Sequence, residues 1–333
     1  MSFSLGIVGL PNVGKSTLFQ ALTRNKVEAS NYPFCTIDPN VGVVPVPDPR
    51  LVQLAELSKS EKIIPTAIEF VDIAGLVQGA SEGEGLGNKF LSHIREVDAI
   101  VQVVRKFSDS NVTHVHGNID PEYDKQIINL ELIMADLDTV TKHLEKVISK
   151  MKGPYDKILD KEKVLLEKVK ATLDENKLAN TLELDEEESK ILKQLNLLSI
   201  KPIIYLYNID EADVDKDLGL PEHSLAICAK TEAELADLDP VEASEYLKEL
   251  GIEKSGLENL IVTSYKLLNL LTFLTTGPEE TKAWTTTDGA KAPQAAGVIH
   301  TDFEKGFIRA EVINWEELLD AGGWNQAREA GKM

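Results

Sequence analysis

Residues 9–16 read Gly9-Leu-Pro-Asn-Val-Gly14-Lys15-Ser16, a spacing of glycine, lysine and hydroxyl that suits a phosphate-cradling loop. The glycines let successive backbone N–H groups turn toward phosphate oxygens. A helix opening after Gly14 adds a field that favours an anion. Lys15 would reach the β- and γ-phosphates of a nucleoside triphosphate, and the Ser16 hydroxyl would bind Mg²⁺. Asn12, Val13, Gly14 and Thr17 complete the set expected against the nucleotide. An apolar run at 3–8 precedes the loop and a helical pattern at 15–23 follows it, the context that separates this motif from a chance match.

A second motif supports the first. The apolar run 68–73 carries Asp72-Ile-Ala-Gly75 at its end. Asp72 can hold the Mg²⁺ shell, and the Gly75 N–H can meet the γ-phosphate. Thr36 lies between the two motifs, where its hydroxyl would complete the Mg²⁺ shell when the γ-phosphate is present. Asn12 carries a side-chain carbonyl that would reach a monovalent cation, K⁺, lying against the phosphates and adding positive charge where the transition state needs it. An asparagine that only shapes the turn is the competing reading.

The run 202–207 leads into Asn208-Ile209-Asp210-Glu211. GTPases carry N-K-x-D at this place, and its aspartate accepts bonds from guanine N1–H and N2–H₂. Here Ile209 replaces the lysine and the longer Glu211 replaces the aspartate, which loosens guanine recognition. Asn208 keeps the donor and acceptor that pair with N7 and N6–H₂ of adenine. ATP is the expected ligand, with GTP as the alternative. Cys228-Ala229-Lys230 is the expected loop flanking the base. Leu76 stands where Ras-type GTPases place a water-orienting glutamine, so another group must position water or intrinsic turnover is slow. The glycine-rich stretch 79–87 is a candidate lid. His114 and His116, in a polar loop, are candidates for orienting water or taking its proton. A surface histidine without a role is the competing reading for each.

These groups need a scaffold. Runs 3–8, 68–73, 99–104, 202–207 and 224–227 read as buried parallel strands, with helical patterns such as 15–23 and 87–97 between them. The alternation implies βαβ units in a three-layer α/β domain. From about 125 to 198 it is interrupted. Leu130, Ile133, Leu137, Val140, Leu144, Val147 and Met151 recur at alternating spacings of three and four, a heptad seam with charged flanks. Gly153-Pro154 breaks it, and Leu159, Leu166, Val169 and Leu173 follow in partial register. The pattern predicts a projecting antiparallel helical hairpin, and two amphipathic helices lying on the sheet are the alternative. Thr275-Thr276-Gly277-Pro278 reads as a linker to a small mixed α+β module.

Composition narrows the function classes. A chain of 333 residues suggests two or more domains. Its formal charge of −20 argues against binding nucleic acid through bulk charge, and DNA is not an expected partner. Cys35 and Cys228 lie far apart without metal-ligand spacing, which points to a reducing cytosol. No apolar run reaches the ~18 residues of a membrane span. Residues 1–9 lack the basic and apolar regions of a signal peptide. A monomeric cytoplasmic protein is the expectation.

The loop 9–17, the segments 31–42, 72–87, 208–211 and 228–234, and the helical insert together resemble the Obg-like ATPases of the YchF type, P-loop NTPases of the TRAFAC class. The resemblance covers nearly the whole chain. It implies an α/β fold with three parts: a Ras-like P-loop domain with a mostly parallel sheet over 1–124 and 199–276, an inserted antiparallel coiled-coil arm over 125–198, and a C-terminal α+β TGS module over 277–333. In the family a stretch like 327–333 is followed by further strands, so the module is expected to be incomplete at its C-terminus. The resemblance also implies an Mg²⁺-dependent ATPase that prefers ATP to GTP and associates with the ribosome. Leu76 matches the family's hydrophobic substitution, Asn208 and the Ile209 backbone its base contacts, and His114 its catalytic histidine. A nucleotide-gated ribosome- or protein-binding module with negligible hydrolysis is the reading from a different class.

Overall fold

The computed structural model describes residues 3–24, 40–73, 86–109, 111–114, 117, 119–153, 156–252 and 254–333. Its strands are β1 (Ser4–Val8), β2 (Val41–Pro45), β3 (Lys62–Ile64), β4 (Ala67–Asp72), β5 (Ala99–Arg105), β6 (Ile203–Asn208), β7 (Ser224–Ile227), β8 (Leu270–Thr276) and β9 (Glu280–Thr287). The helices are α1 (Lys15–Arg24), α2 (Pro49–Ser58), α3 (Leu86–Glu96), α4 (Pro121–Lys150), α5 (Lys157–Asp174), α6 (Glu186–Lys193), α7 (Ala229–Leu235), α8 (Pro240–Glu249) and α9 (Gly256–Leu267). Four short helices follow: α10 (Ala292–Ile299), α11 (Thr301–Lys305), α12 (Trp315–Ala321) and α13 (Trp324–Glu329).

The main sheet runs β2-β4-β1-β5-β6-β7. All its pairs are parallel except β2 with β4. Every residue of β5 is buried, as expected of a central parallel strand covered on both faces. The edge strand β2 alternates instead, with Gly42 and Val44 turned inward. The register aligns the carboxyl ends: Ile7 pairs with Asp72, Arg105 with Asn208, and Asn208 with Ile227. The phosphate loop, Asp72, Asn208 and the Cys228 loop therefore leave one edge of the sheet, the edge where open α/β sheets bind ligands.

The helical insert changes partners along its length. Asp120 caps α4 by accepting from Tyr123 N at 3.0 Å. Ile128 and Leu132 then join the core of the main sheet, while Ile133, Val140 and Val147 belong to a separate cluster with Leu166, Val169 and Leu173 of α5. Both sequence readings hold in part, since the first turns of α4 lie on the sheet and the remainder forms a helical hairpin. Leu130 departs from the expected seam and is 43% exposed, because it precedes the change of face.

Asp136 fixes the root of this hairpin. Its buried carboxylate accepts from Leu198 N (2.9 Å), Ser199 N (2.7 Å) and the Ser199 hydroxyl (2.6 Å). Replacing Asp136 by alanine leaves these donors without an acceptor. It is expected to lower stability by about 2–3 kcal/mol, read as a lower urea midpoint at unchanged slope. A variant as stable as the parent would show that the carboxylate does not anchor the root.

Residues 275–278, expected to form a linker, instead close a hairpin. Thr275 and Thr276 end β8, and Gly277 N donates to Glu280 O at 3.1 Å where β9 begins. A second sheet, β3-β9-β8, takes β3 from the N-terminal part of the chain. Hydroxyls tie it to the end of α2: Thr276 Oγ1 donates to Ser58 Oγ at 2.8 Å, and Ser60 Oγ to Gly277 O at 2.7 Å. Leu54 of α2 shares an apolar cluster with Leu318 and Ala327. Residues 306–313 form neither helix nor strand, and Ile308 is 91% exposed.

Candidate nucleotide-binding site

At the carboxyl edge of the main sheet opens a cleft of about 1080 Å³. The phosphate loop supplies one side through Asn12, Gly14, Lys15, Ser16 and Thr17. The opposite side comes from residues 208–213 and 228–230, and a wall from Phe107, Ser108, Asp109 and Val112. A cleft of this size, with apolar walls and several polar groups converging on it, suits a nucleotide.

The phosphate loop is braced from behind. Gly14 has φ +100°, a conformation that L side chains rarely adopt. A Cβ built there would also meet Asn208 Nδ2. That nitrogen donates to Val13 O at 2.9 Å, while Asn208 Oδ1 accepts from Ala229 N at 3.0 Å. One buried amide thus ties the phosphate loop to the Cys228 loop. This corrects the expectation that Asn208 offers a free donor and acceptor to adenine, since its oxygen and one N–H are committed within the protein. Ile209 N likewise donates to Ile227 O at 2.9 Å, which leaves only the Ile209 carbonyl for a base contact.

Lys15 Nζ donates to Gly9 O at 3.0 Å and Leu10 O at 2.8 Å. Burial pushes its ammonium below the usual lysine range, opposed by the charge of Asp72. Burial also pushes the Asp72 carboxyl up, opposed by Lys15. Each group feels the other's charge, although Asp72 is not among the cleft-lining residues. The Ser16 hydroxyl and the Asp72 carboxylate are hard oxygen donors of the kind Mg²⁺ takes alongside phosphate oxygens and water. Among the described residues no cluster of three or more His, Cys, Asp or Glu would hold a metal unaided. Asn12, at φ +62°, donates through Nδ2 to Thr113 O at 3.1 Å. Asn12 itself lines the cleft.

The base end holds several carboxylates, each already engaged. Asp210 Oδ2 accepts from Ser108 N (3.0 Å) and Ser108 Oγ (3.1 Å). Glu211 accepts from the Tyr246 hydroxyl at 3.2 Å. Asp213 pairs with Lys216 Nζ at 2.7 Å. Cys228 is buried ahead of α7 and makes no side-chain capping bond.

Sequence reasoning missed the residue that builds the wall. Arg105 is buried, and its guanidinium donates to Phe107 O (3.3 Å), Val112 O (2.9 Å) and Asp109 O (3.2 Å). Its Cζ also lies 4.4 Å from the centre of the Phe107 ring, a cation–π distance. The available signal was a charged residue closing an otherwise apolar strand.

His114 is not among the cleft-lining residues. It is 7% exposed, and its Nε2 lies 2.8 Å from Asp124 Oδ2. Thr36, Gly75, Leu76, His116 and the stretch 79–85 lie outside the described residues.

A family model described as a 50S ribosome-binding GTPase matches residues 4–208. A model for the C-terminal part of YchF GTPases, described as a protein of unknown function, matches residues 270–333. The chain is similar to the ribosome-binding ATPase YchF of Bacillus subtilis (strain 168), at 52% identity over 346 residues, covering 100% of this chain and 94% of the relative. It is 50% identical over 343 residues to the ribosome-binding ATPase YchF of Escherichia coli O157:H7, with the same coverage. The solved structure of the Schizosaccharomyces pombe YchF GTPase superposes with a TM-score of 0.88 at 40% identity, covering 99% of this chain and 93% of that one. The phosphate loop at the sheet edge, the Asn208 brace and these matches agree: the chain belongs to the YchF family and has the α/β P-loop GTPase fold.

Proposed function

We propose that this protein is an ATP-binding and ATP-hydrolysing switch of the cytoplasm that associates with the ribosome. The observation that carries the choice of base is the engagement of its base-end carboxylates. Asp210, Glu211 and Asp213 each have a protein partner, and the sequence N-x-x-E lacks the lysine and aspartate of guanine recognition. The names of the relatives, ribosome-binding ATPases, support both the nucleotide and the partner. Among the described residues no helix is long and apolar enough to cross a membrane.

In this reading the backbone N–H groups of residues 12–17 and the Lys15 ammonium hold the phosphates. Ser16 and Asp72 would hold Mg²⁺, joined by Thr36 in the triphosphate state, and the ion would neutralise charge developing on the phosphates. Gly75 N–H meets the γ-phosphate, and Asn12 Oδ1 contributes to a K⁺ site. Ile209 O, Cys228 and Ala229 flank the base, and Glu211 closes its edge. Leu76 contributes no polar group, so His114 positions the water once it reaches the cleft.

The position of His114 favours a second reading as well. A buried histidine off the cleft implies slow intrinsic turnover, and a module that uses nucleotide to set the arm for ribosome binding needs no more. Phosphate release measured with ATP and with GTP at saturating Mg²⁺ tests the first reading. Release from ATP that stops with EDTA is expected. Release faster from GTP would overturn the choice of base. Nucleotide-dependent co-sedimentation with ribosomes, without measurable release, would favour the second.

A further inference from the structure

His114 and Asp124 form a pair with side chains only 4% and 2% exposed. Val112 lines the nucleotide cleft, and His114, two residues on, turns away from it into this pair. Asp124 Oδ1 is buried without a hydrogen-bond partner among the described residues. A buried carboxylate with one oxygen unsatisfied is costly, so this pair is held by its surroundings and not by its own completeness.

Those surroundings are the first turns of α4. Gln102 Nε2 donates to Lys125 O at 3.1 Å, the Tyr207 hydroxyl donates to Glu122 Oε1 at 2.7 Å, and Asn129 Nδ2 donates to the Tyr205 hydroxyl at 3.0 Å. These bonds seat Asp124 beside β5 and β6. The same helix runs 30 residues in all, a rod of about 45 Å at ~1.5 Å per residue, and its later turns enter the helical hairpin. The other side of the joint is the phosphate loop, through Asn12 Nδ2 and Thr113 O.

We propose that Asp124 is a positioning residue that holds His114 off the nucleotide cleft, so that hydrolysis waits on the opening of this pair by movement of α4. The proposal rests on the reading that His114 serves hydrolysis. It differs in sign from an orienting carboxylate of the Asp–His type, whose removal lowers turnover. Removing a holding carboxylate raises it.

The test uses the full chain with saturating Mg²⁺ and ATP. Asp124→Asn keeps the size and a neutral acceptor, and Asp124→Ala removes the acceptor. Thermal melting confirms that each is folded. Basal kcat is expected to rise in graded fashion, by about fivefold in the alanine variant, the factor that one ordinary hydrogen bond gives. KM for ATP stays within about twofold, since Asp124 touches no part of the cleft. The double variant with His114→Ala turns over like His114→Ala alone. Independently of activity, carbethoxylation of His114 by diethylpyrocarbonate, read by peptide mass spectrometry, is faster in both Asp124 variants.

A folded Asp124→Ala variant with lower or unchanged kcat overturns the proposal. So does His114 reactivity that stays at the wild-type level. His114→Ala at the wild-type rate overturns the prior reading of His114 by itself, whatever the Asp124 variants show.

Discussion

Replacing Lys15 by alanine is expected to lower ATP turnover about a thousandfold, the scale of removing one preorganised charged donor from a transition state. The ammonium is held over the loop by Gly9 O and Leu10 O, and no other cation among the described residues stands within that loop. Fold stability should not fall with it. Burial already pushes the Lys15 ammonium down, so the empty protein gains little from carrying it. A thermal midpoint at or above that of the parent, with turnover lost, is the expected pair of results. A variant that loses both would show that Lys15 serves folding, and its catalytic role would then need separate proof.

Asn208→Ala is expected to act on both. Its amide bonds Val13 O and Ala229 N in a buried place, and removal leaves one acceptor and one donor unpaired. The cost is about 2–3 kcal/mol of stability, measured by urea unfolding. ATP affinity falls as well, because the phosphate loop and the Cys228 loop lose their common brace. Asn208→Asp separates the two contacts. Its carboxylate keeps an acceptor for Ala229 N but sets a negative charge against Val13 O, so it should be no better than alanine. Wild-type affinity in either variant would contradict a brace at this position.

The phosphate loop and Asp72 were legible because their chemistry lies in fixed local spacing beside strands with continuous apolar runs. The central strands were legible for the same reason. Strands β2 and β3 were not, since both are short edge strands, β2 burying only alternate residues and β3 burying none. The β8–β9 hairpin was misread because a Gly-Pro turn between threonine-rich strands has the composition of a linker. The heptad seam held from Ile133 onward and failed at Leu130, where α4 still follows the sheet. In the site, spacing brought Asn208 to the cleft but did not give the direction of its amide, which Val13 and Ala229 decide. Arg105 and Asp124 had no motif to announce them. Their roles come from the loop after β5 being folded inward upon them, which is a tertiary fact.

The central claim is that this cleft takes ATP in preference to GTP. Calorimetric titration of the wild-type chain with each nucleotide, at equal Mg²⁺ and without turnover on the timescale of the experiment, measures it directly. ATP is expected to bind at least about tenfold more tightly, a difference of ~1.4 kcal/mol. Equal affinity, or tighter binding of GTP, would contradict a base end in which Asp210, Glu211 and Asp213 are engaged within the protein and Ile209 replaces the lysine of guanine recognition.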